Sequence, residues 1–256
     1  MVIYMTIFIE TDLEGISGVS TLGMVADNDR YALERLMTDT NAAIRGAFDG
    51  GADRVYVLDG HGGGRNFIKG LLDPRAEISG TEAVPVSDAC FIVGMHAMAG
   101  TQNAFLDHTQ SSVSWHDYRI NGRCYGECGQ LAAYAGAFGV PLAMVSGDFA
   151  ACAEARCQFG NLETTVVKNA EGRNRAACLP PDEAESRIYD AALRAVKRIS
   201  EFRPFRVLLP AVIEVEYNRT DYADAVAERR ADVERTGPRT VRRIVNEITR
   251  YEDLLL

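Results

Sequence analysis

The run Ile3-Tyr4-Met5-Thr6-Ile7-Phe8-Ile9 leads to Asp12-Leu13-Glu14, and the chain then breaks into Gly15-Ile16-Ser17-Gly18. A segment rich in β-branched and aromatic residues, closed by glycines, reads as a buried strand entering a loop. Side chains two apart on a strand point the same way. Two carboxylates therefore emerge together at the strand's carboxyl end, which in an open α/β sheet is where ligands bind. Like charges side by side are costly unless a cation stands between them. A divalent metal ion is the usual answer, so this segment asks for a sheet whose carboxyl edge is open to one.

The rest of the first half supplies such a sheet. Asp27 to Phe48 has helical spacing (Leu33, Leu36, Met37, Ile44, Ala47, Phe48) and ends at Gly50-Gly51. Val55-Tyr56-Val57-Leu58 is a short strand, and Ala89 to Gly94 is another. This β-α-β alternation predicts an α/β fold, a mostly parallel sheet flanked by helices. Asn121-Gly122 marks a hairpin between 113–119 and 123–126, followed by a helix over 127–138 and a strand over 142–145. Pro180-Pro181 opens a helix over 182–199, Phe205 to Tyr217 is strand-like, and 239–256 reads as a strand and a short helix. The expected division is a metal-binding α/β catalytic domain over 1–180 and a smaller C-terminal α+β part over 181–256.

Composition narrows the function. The formal net charge is −9, from 27 basic and 36 acidic residues, which argues against nucleic acid as a partner. No run approaches the apolar length of a membrane span, and the first residues lack a signal peptide's basic region and cleavage site. The six cysteines form no Cys-x-x-Cys pair. Reduced, buried thiols and a cytoplasmic location are the expectation.

There are four histidines. His61 and His96 each follow a predicted strand, so in a parallel sheet they project at the edge that carries Asp12 and Glu14. Mixed imidazole and carboxylate ligands suit zinc and other first-row metals. His61-Gly62-Gly63-Gly64 has the form of a lipase oxyanion segment, but the chain lacks the Gly-x-Ser-x-Gly elbow that would go with it. It also lacks the Lys-Ser/Thr of a phosphate-binding loop. His108 sits in a polar loop, free to act as acid, base or electrostatic stabiliser, whereas His116 reads as structural. Glu127 opens a helix, where an acidic residue is favoured by the macrodipole alone.

These segments together resemble the zinc-dependent D-aminopeptidases of the dipeptide-permease-operon (DppA) metallopeptidase family. The match runs through Asp12-Leu13-Glu14-Gly15-Ile16-Ser17-Gly18, Asp59-Gly60-His61, Gly94-Met95-His96-Ala97, Asp107-His108-Thr109, and Asn121 with Gly126-Glu127-Cys128-Gly129. It is clearest over residues 6–180. The resemblance implies two zinc ions per chain. Asp12 would bridge them, Glu14 and His61 would complete one shell, His96 and Glu127 the other, and His108 would be catalytic. It implies hydrolysis of short peptides with an N-terminal D-amino acid by a water that the two zincs activate. It also implies a homo-oligomer, a decamer of stacked pentamers around a chamber. The glycine-rich stretch after His61 and the loop over 97–112 depart from the family pattern, which touches specificity more than chemistry. The competing readings are a two-metal amidohydrolase or phosphoesterase acting on another substrate, and a non-catalytic assembly or solute-binding protein of the same fold. A phosphoesterase would need cations around the metals, and Arg65 stands alone near a proposed histidine ligand.

Overall fold

A computed structural model of the protein describes residues 4–27 and 29–256; Ile3 and Asn28, part of the first strand and helix expected from the sequence, lie outside them. The first strand, β1 (Thr6–Thr11), lies inside a seven-stranded sheet, third in its order. On one side lie β2 (Arg54–Asp59) and β3 (Glu77–Ile78). On the other lie β4 (Ala89–Met95), β7 (Leu142–Asp148), β8 (Glu163–Gly172) and β9 (Arg175–Cys178). Every neighbouring pair is parallel except β8 with β9. The chain leaves β1 toward β2 and later returns to β1's other side as β4. The strand order thus reverses between β1 and β4, which makes their carboxyl ends the natural crevice.

The alternation along β1 sorts its side chains to the two faces. Ile7 and Ile9 join Val55, Val57, Phe91 and Val93 beneath the helices α2 (Arg30–Gly50) and α5 (Pro181–Lys197). Phe8 joins Cys90 and Ile92 on the opposite face, which packs on α3 (Glu127–Ala137) and a second sheet. That sheet is antiparallel, in the order β11 (Val233–Arg235), β12 (Thr240–Val245), β10 (Ala211–Tyr217), β5 (Trp115–Ile120) and β6 (Arg123–Cys124). Burial alternates strictly along β10, as a strand with one solvated face requires. The architecture is the α/β class expected from the sequence, with a smaller antiparallel layer added.

Several details differ from the sequence reading. The long helix starts at Arg30, because the Asp29 carboxylate caps it by accepting from the Ala32 N–H at 3.1 Å; a separate short helix, α1, spans Leu22–Ala26. The strand expected from Phe205 begins only at Ala211. Pro204 and Pro210 remove backbone donors from the segment before it. Helix α4 (Phe149–Phe159) carries too mixed an apolar stripe to stand out in sequence, and α6 (Thr220–Arg229) is short, with Ala223 its one buried residue. Nor do the layers change at residue 180. Beyond it, α5 lies against α2, and the second sheet pairs β5 from before it with β10 from after it. The β5–β6 hairpin, with positive φ at Asn121 and Gly122, would be marginal as two strands and gains its third from the C-terminal part.

Where β1 ends, its loop lies directly on the end of β4. The Asp12 N–H donates to the Val93 carbonyl at 2.9 Å and the Gly15 N–H to the Gly94 carbonyl at 2.7 Å. Gly94 has φ +88°, and a Cβ there would fall 2.1 Å from the Asp12 carbonyl oxygen. A Gly94→Ala substitution is therefore expected to cost more than about 2 kcal/mol, from left-handed strain added to a backbone clash. Urea denaturation would measure it, and a variant within about 0.5 kcal/mol of the parent would contradict this close approach.

Candidate metal centre

The residues singled out from the sequence converge on that crevice. Asp12 and Glu14 come from the end of β1, His61 from the turn after β2, His96 from the end of β4, and Glu127 from the first turn of α3. His108 comes from the loop between β4 and β5. His61 Nδ1 lies 3.2 Å from Asp12 Oδ1 and 2.9 Å from Glu14 Oε2. His96 Nε2 lies 3.4 Å from both Asp12 Oδ2 and Glu127 Oε1. Asp12 thus turns one oxygen to each histidine. His108 stacks on His96, ring centroids 3.9 Å apart, with its Nε2 3.8 Å from Glu127 and 4.0 Å from Glu14. His116 stays apart, exposed on β5 at the rim of a cleft that His108 also lines.

Backbone contacts fix these side chains. The Nδ1 of His96 faces the Ala97 carbonyl at 3.0 Å, and that of His108 the Leu106 carbonyl at 2.8 Å. In the neutral rings the proton then sits on Nδ1 and leaves Nε2 free toward the carboxylates. The Gln110 N–H donates to Glu127 Oε1 at 2.7 Å. Asp59 pins the turn that carries His61, accepting from the Asn66 backbone at 2.6 Å and side chain at 2.9 Å. Asn66 in turn donates to the His61 carbonyl at 2.7 Å. Behind the Glu14 loop, the buried Lys168 donates to the carbonyls of Glu14 and Val19 at 2.6 and 2.5 Å. Burial pulls this ammonium down to about 8.

Charge is dense here. Burial acts to raise the carboxyls of Asp12 and Glu127, yet the neighbouring histidines hold both below the usual range. Burial likewise opposes protonation of His61, but its bonds to Asp12 and Glu14 push it up to about 10. His96 is raised well above its ordinary value against burial, chiefly by Glu127 and Asp12.

The residues fit a metal. Two groups have ligand atoms within 4.8 Å of one another, Asp12-Glu14-His61 and His96-His108-Glu127. Asp12 Oδ2 and His96 Nε2 are buried without a hydrogen-bond partner. Their 3.4 Å separation is close to the roughly 3.3 Å between ligand atoms around a tetrahedral zinc bound at about 2.0–2.1 Å. A cavity of about 600 Å³ opens on Asp12, Glu14, His61, His108 and Glu127, and among the described residues no Lys or Arg lines it. Arg65 lines a neighbouring cleft. Glu10, Gln110 and Tyr251 also face the cavity and were missed in the sequence. Glu10 stands two residues before Asp12 on β1, so the parity that paired Asp12 with Glu14 could have found it. Burial, then Glu127 and Asp12, push its carboxyl up to about 8.

Comparison with known proteins agrees with this geometry. A family model described as D-aminopeptidase matches residues 5–255. A D-aminopeptidase of Bacillus subtilis (strain 168) is 30% identical over 225 residues, covering 83% of this chain and 81% of that protein. Among solved structures, the Zn-dependent D-aminopeptidase DppA from Bacillus subtilis, a self-compartmentalizing protease, superposes with a TM-score of 0.90. It is 26% identical, and the match covers 98% of this chain and 96% of that one.

A metal ligand must give up its proton. The carboxylates around His61 and His96 favour the protonated forms of both rings, so zinc binding to the metal-free protein is expected to release protons, and affinity is expected to rise with pH through the neutral range. Calorimetry in buffers of different ionisation enthalpy would measure the release. A binding heat independent of buffer would contradict it.

Proposed function

The chain belongs to the D-aminopeptidase family, and on that premise we propose that it is a zinc-dependent aminopeptidase that removes an N-terminal residue of D configuration from short peptides. The observation that carries this reading is Asp12, whose two oxygens face different histidines in a crevice built from three strand ends and a helix start. We assign two zinc ions per chain, with Asp12 as the bridge, Glu14 and His61 completing one shell, and His96 and Glu127 the other. Zinc, when bound, supplies Lewis acidity for the scissile carbonyl and acidifies water toward neutrality.

We assign His108 to the substrate rather than to a zinc shell. Its Nε2 stands 3.8–4.0 Å from the nearest carboxylates, farther than the nearest contacts of His61 and His96. With Nδ1 committed to the Leu106 carbonyl, Nε2 can take a proton and return it to the leaving amine. The absence of Lys and Arg from the cavity lining weighs against a phosphoesterase, whose substrate would need cations.

Two further assignments go with this reading. The protein is a homo-oligomer, a decamer, in which copies enclose the cavities. The self-compartmentalizing relative supports this, as do the exposed side chains of Ile78, Val113 and Leu208, which an assembly could cover. It works in the cytoplasm, which its six free thiols suit. No helix among the described residues is long and apolar enough to cross a membrane.

Turnover of a panel of dipeptides with D- or L-residues at the N-terminus tests the activity, and cleavage of none would overturn it. Elemental analysis of protein prepared without chelator is expected to give about two divalent ions per chain, zinc foremost. Asp12→Ala is expected to lose both ions and Glu127→Ala mainly one; equal losses would contradict a bridging Asp12. His108→Ala is expected to keep its zinc and melting temperature while kcat falls by about 10²–10⁴, the usual share of a positioned acid or base. KM should move much less. Loss of zinc together with activity would make His108 a ligand instead.

A further inference from the structure

Glu10 is a carboxyl group that the chemistry above leaves unused. It lies on β1 two residues before Asp12 and on the face that carries Phe8, and it lines the same cavity as Asp12 and Glu14. Its Oε1 rests 3.0 Å from where a Cβ on Gly60 would stand. Any larger residue before His61 would push against it. Its Oε2 is buried and has no hydrogen-bond partner among the described residues. Glu10 belongs to neither of the two groups able to hold a metal, and among the described residues no Lys or Arg lines the cavity to pair with it. A carboxylate oxygen taken out of water with no partner loses solvation and regains nothing. The missing partner must arrive with the ligand, and it must be a donor or a cation.

From this geometry we infer that Glu10 holds the free α-ammonium group of the peptide substrate and so selects for an unblocked amino terminus. The inference rests on the aminopeptidase reading and adds the residue that reads the amine. The distances agree. Residues two apart on a strand are separated by about 6.5–7 Å. The α-nitrogen of an aminoacyl group lies about 2.5 Å from its carbonyl carbon, and a charge-assisted hydrogen bond adds about 2.8 Å. A carbonyl held beside Asp12 therefore brings its own ammonium within reach of Glu10. A lysine or arginine side chain would carry its charge beyond that span.

The test uses the zinc-loaded full chain with Glu10→Gln, which keeps the shape and removes the acid that an ammonium group would pair with. Two substrates are compared, a D-alanyl dipeptide and its des-amino analogue, with propionyl in place of D-alanyl. The wild type is expected to prefer the free amine strongly. In the variant, KM for the dipeptide should rise by about 10–100-fold, the worth of a hydrogen bond between charged groups. Its kcat should change little, since the ammonium is held alike in ground and transition states. Its preference over the des-amino analogue should largely vanish, while zinc content stays that of the wild type. Glu10→Asp, which keeps the acid on a shorter arm, should fall between the two and serves as the second variant if Glu10→Gln does not fold. An unchanged KM and an unchanged preference would overturn the role of Glu10 while leaving the aminopeptidase activity standing. Loss of zinc in Glu10→Gln would overturn it too, by making Glu10 part of the metal shell. A wild type that cleaves no free-amine peptide would overturn both readings.

Discussion

Everything at the carboxyl edge of this sheet answers to one constraint, the gathering of Asp12, Glu14 and Glu127 into a crevice largely shielded from water. Mutual repulsion and lost solvation would scatter such a set unless positive charge were interleaved with it. Two histidines stand in that role, His61 and His96, and the carboxylates each one faces favour its protonated form. The same oxygen and nitrogen atoms are of the kinds that zinc takes as ligands.

Holding such a cluster takes structure behind it. The β1 loop is pressed on the end of β4 through two backbone hydrogen bonds that tolerate no side chain at Gly15 or Gly94. From below, the Lys168 ammonium grips two carbonyls of that loop. A second buried network ties it to α2, where the Ser17 N–H and hydroxyl both donate to Asp39 and Arg35 spans the pair. Side chains so anchored would have little freedom to lose on binding a cation, which is the value of supporting groups around a metal site. The proposed catalytic histidine is treated differently. It rides on a loop in which Leu106 and Gln110 have positive φ, and the loop is stitched to the frame by Asp148 and the Arg173 carbonyl. That arrangement brings His108 over the cluster, stacked on His96.

Sequence and structure agree most closely where a local rule operates. The parity of a strand paired Asp12 with Glu14, the glycine-bounded apolar runs located β2 and β4, and Asn121-Gly122 gave the hairpin its turn. Local rules fail where an element is defined by its neighbours. The apolar faces of α4 and α6 become legible only against the sheets they cover. The segment before Ala211 has the composition of a strand but has no run of backbone donors to offer one. Residue 180 looks like a boundary because two prolines stand there, yet they only start a helix that returns to the first layer.

By itself, the sequence determined which side chains could do chemistry and at which element ends they stand. Strand parity, helix starts and glycine breaks are properties of a few consecutive residues, and the resemblance carried by five short motifs gave those side chains a common purpose. The tertiary structure alone decided that four segments meet in one crevice, that Asp12 divides its oxygens between two histidines, and that His108 lies over His96. It alone left Glu10 facing the cavity without a partner. These are distances between residues remote in the chain, set by how sheets and helices pack, and no local pattern encodes them.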